Sequence, residues 1–255
     1  MNAGLRAVLV LTLVGAAACA SGDAEADGTE DLTRTLLTQP AGDGMSTPLA
    51  VDPAMASEGA RVSVAQVGFN RGDTTALVKV VEMSDYGCGF CRQFHEESFG
   101  AIREEFIETG MVEWKFVPYI TGMFENSLAV TEAVECTYAQ SPAAFEALNA
   151  RIWADQAVWK RSADPGSLVQ GWVSGLGIDM GAFNACMEAD ERIPRIASAT
   201  TLAGQIGVRG TPTFVVLGWP PLQGALPLDM FRDVLTAAHT QLEALEAAEG
   251  DPGEG

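Results

Sequence analysis

The stretch ALVKVVEMSDYGCGFCRQFHEESF, residues 76–99, passes from a strand to a helix through a turn of four residues. Its Val-rich opening, 76–83, has the length and composition of a strand buried on both faces of a parallel sheet. Ser84-Asp85-Tyr86-Gly87 then breaks the strand period with turn residues. Beyond Cys88-Gly89-Phe90-Cys91, apolar positions at Phe94, Phe99, Ile102 and Phe106 oppose Arg92, Glu96, Glu97, Glu104 and Glu105. The spacing predicts a helix over 88–109, stopped by Gly110. Two sulfurs three residues apart share a helix face, so they can close a disulfide without unwinding the turn. The unpaired N–H groups at the helix mouth favour thiolate over thiol. Cys88 is therefore expected to be the exposed, attacking sulfur and Cys91 the sheltered partner that resolves a mixed disulfide.

Downstream, Gly210-Thr211-Pro212-Thr213-Phe214 enters a second apolar run ending at Leu217. Strand–CxxC–helix followed by Thr-Pro entering a strand resembles the thioredoxin superfamily, and the surrounding words are most similar to its DsbA-like thiol:disulfide oxidoreductases. The resemblance spans about residues 61–245. It implies an α/β fold, a thioredoxin fold with an inserted α-helical domain, and dithiol–disulfide exchange through Cys88 and Cys91 without cofactor or metal. It also implies a cis peptide bond before Pro212, with Thr211-Pro212 docking the substrate backbone beside the sulfurs. An acid lies six residues before the first cysteine in such enzymes, which assigns Glu82 as a carboxyl buried under the disulfide. Desolvation would raise its pKa, and it would exchange a proton with Cys91. The plain alternative is a solvated carboxylate at the strand rim. Two positions depart from the strongly oxidising relatives. Phe90 stands where several carry histidine, which removes an imidazolium and predicts a less acidic Cys88. Thr211 replaces a valine. Phe90 equally offers an apolar contact to unfolded substrates.

The remaining periodicities fit this frame. Residues 61–69 alternate Val62, Val64 and Val67 as a first strand, with a polar turn at 70–75, and 111–119 (MVEWKFVPY) predicts another strand. No strand pattern occurs from 121 to 192, the expected insertion. Helices are expected there at 126–139, from Ser141-Pro142 through Trp153, at 167–176 and at 180–189. Trp153, Trp159 and Trp172 are expected in its core. A helix at 191–207, strands at 213–217 and 222–225, and an amphipathic helix over 228–248 complete the pattern.

Residues 1–18 carry one positive charge at Arg6, an apolar run over 7–14, and Gly15-Ala16-Ala17-Ala18 before Cys19. That is the pattern of a secretory signal peptide. Ala16-Ala17-Ala18-Cys19 resembles a bacterial lipoprotein cleavage box, which makes Cys19 a lipidation site; the competing cut follows Ala20. The expected division is a signal peptide at 1–19, a disordered acidic linker at 20–56, the redox domain at 57–248 and a frayed tail at 249–255. The chain is thus expected in the periplasm or cell envelope, anchored to the membrane by lipid. Of five cysteines, setting Cys19 aside leaves four in an oxidising compartment. Cys88 pairs with Cys91, and Cys136 with Cys186 as a structural bridge; two separately buried thiols are the alternative for the second pair.

A net charge of −19 argues against nucleic acid as a partner. Expected partners are cysteine-containing exported proteins and a membrane redox partner that reoxidises the dithiol. Two further readings stand beside this one. An envelope reductase or isomerase uses the same fold, and a metal chaperone would use Cys88, Cys91 and His95 as ligands.

Overall fold

The computed structural model describes residues 62–249. Cys19, the signal peptide, the acidic linker and the tail beyond 249 lie outside them. Strands β1 (Phe69–Arg71), β2 (Val78–Ser84), β3 (Val112–Pro118), β4 (Thr213–Val216) and β5 (Leu222–Gln223) form one mixed sheet in the order β1-β3-β2-β4-β5. Only β2 and β3 run parallel; the other three pairings are antiparallel. The central strand is therefore the one that feeds the CxxC turn.

Helix α1 (89–107) follows that turn. It begins as Gly89–Phe94, widens into π turns at His95–Phe99 and Arg103–Ile107, and stops at Gly110 with φ +79°. The helices of the insertion are α2 (Ser127–Tyr138), α3 (Pro142–Ala154), α4 (Gln156–Trp159), α5 (Pro165–Val173) and α6 (Met180–Glu188). Then come α7 (Ile193–Gln205) and α8 (Leu228–Glu249). Side-chain caps set several of these starts. Ser141 accepts from the Ala144 N–H, Asp164 from Ser167, and Asp179 from Gly181 and Ala182. The Cys136–Cys186 disulfide, S–S 1.96 Å, joins α2 to α6. Among the described residues no helix is long and apolar enough to cross a membrane.

Strand alternation decides what lies under the sulfurs. Val78 and Val80 pack against Phe94, Phe99 and Ile102 of α1 and Phe231 and Leu235 of α8. Val81 and Met83 face the opposite way, against Ala199 and Leu202 of α7. Glu82 and Ser84 continue the first series, so both point beneath α1. The insertion builds its own core from Phe145, Leu148, Ile152, Trp153, Trp159 and Val173, continuous with Tyr86, Cys88 and Cys91. Trp172 sits at its margin, partly buried, under the guanidinium of Arg151.

The first strand differs from the expectation at 61–69. Val64–Gln66 is a 3₁₀ turn, capped by Ser63 and Gln66 in a reciprocal capping box. The strand starts only at Phe69 and runs through Asn70 and Arg71, which the sequence assigned to a turn. Gly68 forces the break. It has φ +69°, and a Cβ there would sit 2.3 Å from the Phe116 carbonyl oxygen.

Candidate active site

Cys88 is the N-cap of α1, with extended backbone (φ −76°, ψ 126°), and Cys91 lies one turn in. Both are unbridged. Cys91 is fully buried, and Cys88 keeps 6% of its surface, less than its expected role as the exposed sulfur suggested. Thr211 covers it from across the cleft: the Cys88 Sγ lies 3.4 Å from the Thr211 carbonyl oxygen. The Thr211–Pro212 bond is cis. Beside them Phe90 is 64% exposed, a bare aromatic ring at the mouth of the site.

The two sulfurs are electrostatically unlike. The hydrogen bond from Cys91 lowers the Cys88 pKa to about 5, against the opposing effect of burial, with further help from Thr211 and the backbone N–H groups of Cys91 and Phe90. Burial, and then the neighbouring Cys88 thiolate, push the Cys91 thiol far above the ordinary range. Cys88 is thus acidic for a thiol even with Phe90, and no imidazolium, in the dipeptide between the sulfurs. The second thiol and the backbone donors at the helix mouth supply that acidity.

Glu82 is fully buried, so the rim reading is wrong. Its Oε1 accepts from the Ser84 hydroxyl at 2.5 Å and lies 2.8 Å from His95 Nε2; Oε2 accepts from the Trp114 indole N–H at 2.9 Å. Burying a lone carboxylate would cost several kcal/mol, roughly the size of a domain's whole stability margin. Burial would raise this pKa, but the His95 charge and the hydrogen bonds from His95, Ser84 and Trp114 outweigh it and hold the group below the usual carboxylate range. That reverses the direction expected from desolvation alone. The His95 side chain is 3% exposed and stacks on Trp153 at 4.4 Å. Its Nε2 is turned to Glu82, and no cluster of three or more His, Cys, Asp or Glu side chains suited to a metal occurs among the described residues.

The insertion holds the turn before the sulfurs by its carbonyls. Gln156 donates to the Tyr86 and Cys88 carbonyl oxygens at 2.7 and 2.8 Å, and Lys160 to that of Gly87 at 2.6 Å. Buried Asp85 accepts from the Gly87 N–H, from the Thr121 N–H and hydroxyl, and from the Ser127 hydroxyl. Gly87 is required because a Cβ would meet Phe124 at 2.4 Å. None of these partners was singled out by sequence, since Gln156 and Lys160 lie about 70 residues away with no local pattern tying them to the turn. Gln156→Leu is expected to leave the buried Tyr86 carbonyl unpaired and the Cys88 carbonyl with the Arg92 N–H alone. A loss of about 1–3 kcal/mol in urea unfolding would register it.

Matched against protein-family profiles, residues 65–219 fit the Thioredoxin family. The chain belongs to that family. A search of curated proteins found no match. Solved structures agree on the architecture of this thioredoxin-family chain. Oxidised BdbD from Bacillus subtilis superposes with a TM-score of 0.62 at 19% identity, covering 68% of this chain and 93% of BdbD. DsbA of Chlamydia trachomatis gives 0.56 at 21% identity, covering 70% and 92%. The thiol-disulfide exchange protein alpha-DsbA2 of Wolbachia pipientis gives 0.53 at 22%, covering 67% and 86%. The fold is thus the DsbA-like one, a thioredoxin sheet carrying a helical insertion.

Proposed function

We propose that this chain is an exported thiol:disulfide oxidoreductase that forms disulfides in other exported proteins. The observation that carries the reading is the pairing of an acidic, helix-capping Cys88 with the Thr211 carbonyl, 3.4 Å away and next to a cis proline. A substrate thiolate attacks Cys88 Sγ, the Cys88–Cys91 bond breaks, and Cys91 leaves with the electron pair and takes a proton. A second substrate thiolate attacks the substrate sulfur of the mixed disulfide. Cys88 departs as a thiolate that its surroundings already stabilise, and the substrate carries away the new disulfide. Glu82 serves the Cys91 proton, Thr211-Pro212 aligns the substrate backbone, and Phe90 offers it an apolar contact. A membrane redox partner restores the Cys88–Cys91 disulfide, and lipid on Cys19 would keep the enzyme near that partner. The name of alpha-DsbA2 as a thiol-disulfide exchange protein supports the chemistry, and the low Cys88 pKa supports the oxidising direction.

Equilibration with glutathione tests it. A potential near about −120 mV is expected of an oxidase, and one near about −270 mV would make the chain a reductase on the same fold. Cys91→Ser is expected to accumulate mixed disulfides with exported proteins in cells, and Cys88→Ser to accumulate none. Absence of any adduct in Cys91→Ser would remove the exchange reading altogether.

A further inference from the structure

A chain with a net charge of −19 has acids to spare for its bases, and it uses them almost everywhere. Among the described residues, Lys79 and every arginine except Arg161 and Arg209 are ion-paired, and Lys115 donates to Asn70. Lys160, Arg161 and Arg209 are exposed and have no carboxylate against them. These three border one place. Lys160 Nζ, over the Phe124 ring at 4.5 Å, donates to the Gly87 carbonyl, one residue before Cys88, and Arg161 follows it. Arg209 stands two residues before Thr211, whose carbonyl oxygen lies 3.4 Å from Cys88 Sγ. Two charges thus flank the turn that leads into Cys88, and the third flanks the loop that faces it. Phe90 beside Cys88, Met123 beside Phe124 and Val158 beside Trp159 are exposed apolar side chains on the same elements. Of the acids there, Asp155 is held by Arg151, Glu96 by Arg92, and Glu97 by Gln93, while Asp164 caps α5. Glu125 stands open beside Phe124.

From this placement we infer that the site selects substrate cysteines set in acidic segments. Lys160 and Arg161 take a carboxylate on one side of the substrate sulfur, and Arg209 takes one on the other. The inference rests on the exchange reading above and names the kind of segment on which it acts. Carboxylates beside a thiol disfavour its thiolate, which is the form that attacks. Cations at the mouth of the site offset that penalty where the attack occurs. Cys88 draws its own acidity chiefly from Cys91, Thr211 and backbone N–H groups, so the three charges are left for the incoming chain. The remaining acids of the protein oppose the approach of an acidic segment. At 0.1 M salt, however, the screening length is about 10 Å, which damps remote charges and spares those that come into contact. Phe90, Met123 and Val158 add contact for large apolar side chains carried between the acids.

Oxidised protein mixed with an excess of single-cysteine peptides tests the selection. The peptide thiolate attacks Cys88 Sγ, Cys91 leaves with the electron pair, and mass spectrometry after acid quenching follows the loss of oxidised protein. A peptide with Glu on both sides of its cysteine is compared with the same peptide carrying Lys there. Rates are expressed per thiolate, after titration of each peptide thiol. An exposed ion pair is worth about two- to fivefold, so the Glu peptide is expected to react about tenfold faster at about 0.1 M salt. At about 1 M salt, where the screening length is about 3 Å, the ratio is expected to fall below about threefold. Arg161→Glu/Arg209→Glu is expected to bring it below about threefold at the lower salt as well. Both rates come from one preparation, so a general loss of activity cancels in the ratio. If charge reversal prevents folding, Arg161→Gln/Arg209→Gln takes its place. A wild-type ratio below about threefold overturns the selection, as does a larger one that survives the substitutions or that high salt leaves in place. Wild-type protein that reacts with neither peptide sinks the exchange reading and the selection with it; reaction with both at like rates sinks the selection alone.

Discussion

Iodoacetamide is expected to label Cys88 of the reduced protein at pH 6 nearly as fast as at pH 8, and to leave Cys91 unlabelled until the chain unfolds. With a pKa of about 5, the Cys88 thiolate is already about nine-tenths formed at pH 6. A thiol at the ordinary value of 9.0 would instead gain about a hundredfold in thiolate between pH 6 and 8. A low pKa also dulls the nucleophile. At pH 6 the roughly 900-fold gain in thiolate is cut by about 40- to 100-fold in intrinsic reactivity, leaving a net advantage of about tenfold over an ordinary thiol. The level profile is therefore the sharper signature, and mass spectrometry of the labelled peptides reads it. The sign for stability follows from the same shift. The folded pKa is depressed, so the extra stability of the reduced protein is complete above about pH 9 and is lost as pH falls through about 5. Within that window the reduced state is favoured over its disulfide, which is what makes the disulfide a better oxidant. A labelling rate that climbs tenfold per pH unit from 6 to 8 would mean that the helix mouth and the Cys91 thiol do not stabilise the Cys88 thiolate.

Sequence patterns carried the thioredoxin layer and the sulfurs well, because both are local. An apolar run, a turn and an amphipathic helix occupy adjacent residues, and Thr211-Pro212 announces the facing loop. The insertion helices were legible for the same reason, through Ser141-Pro142 and Asp179. The short α4 was not, since four residues carry no periodicity. Nor was the true first strand, where a capping box at Ser63 and Gln66 outweighed alternating valines. The site's electrostatics lay furthest from view. Glu82 could be suspected of burial, but the direction of its shift depends on His95 from α1 and Trp114 from β3, contacts that only the packed sheet and helix bring together. Likewise, the groups that lower the Cys88 pKa include backbone donors, which a residue-by-residue comparison does not register.

Cys136→Ala/Cys186→Ala is expected to lower Tm by about 10 °C without altering the Cys88 labelling profile. The bridge spans 50 residues of sequence, and closing a loop of that size removes about 4 kcal/mol of freedom from the unfolded chain. At about 2–4 °C per kcal/mol for a domain of this length, the shift is well above measurement error. The cysteines are almost fully buried in the core of the insertion, so truncation also leaves a small void, which acts in the same direction. The labelling profile should hold because the groups that lower the Cys88 pKa are Cys91, Thr211 and the first N–H groups of α1, all outside the insertion. The insertion's hydrogen bonds from Gln156, Lys160, Thr121 and Ser127 hold the preceding turn in shape. If the double variant keeps its Tm, the bridge contributes nothing to the folded state. If the Tm falls and the labelling midpoint rises with it, those four contacts rather than the helix mouth set the acidity of Cys88, and the insertion governs the redox chemistry from a distance.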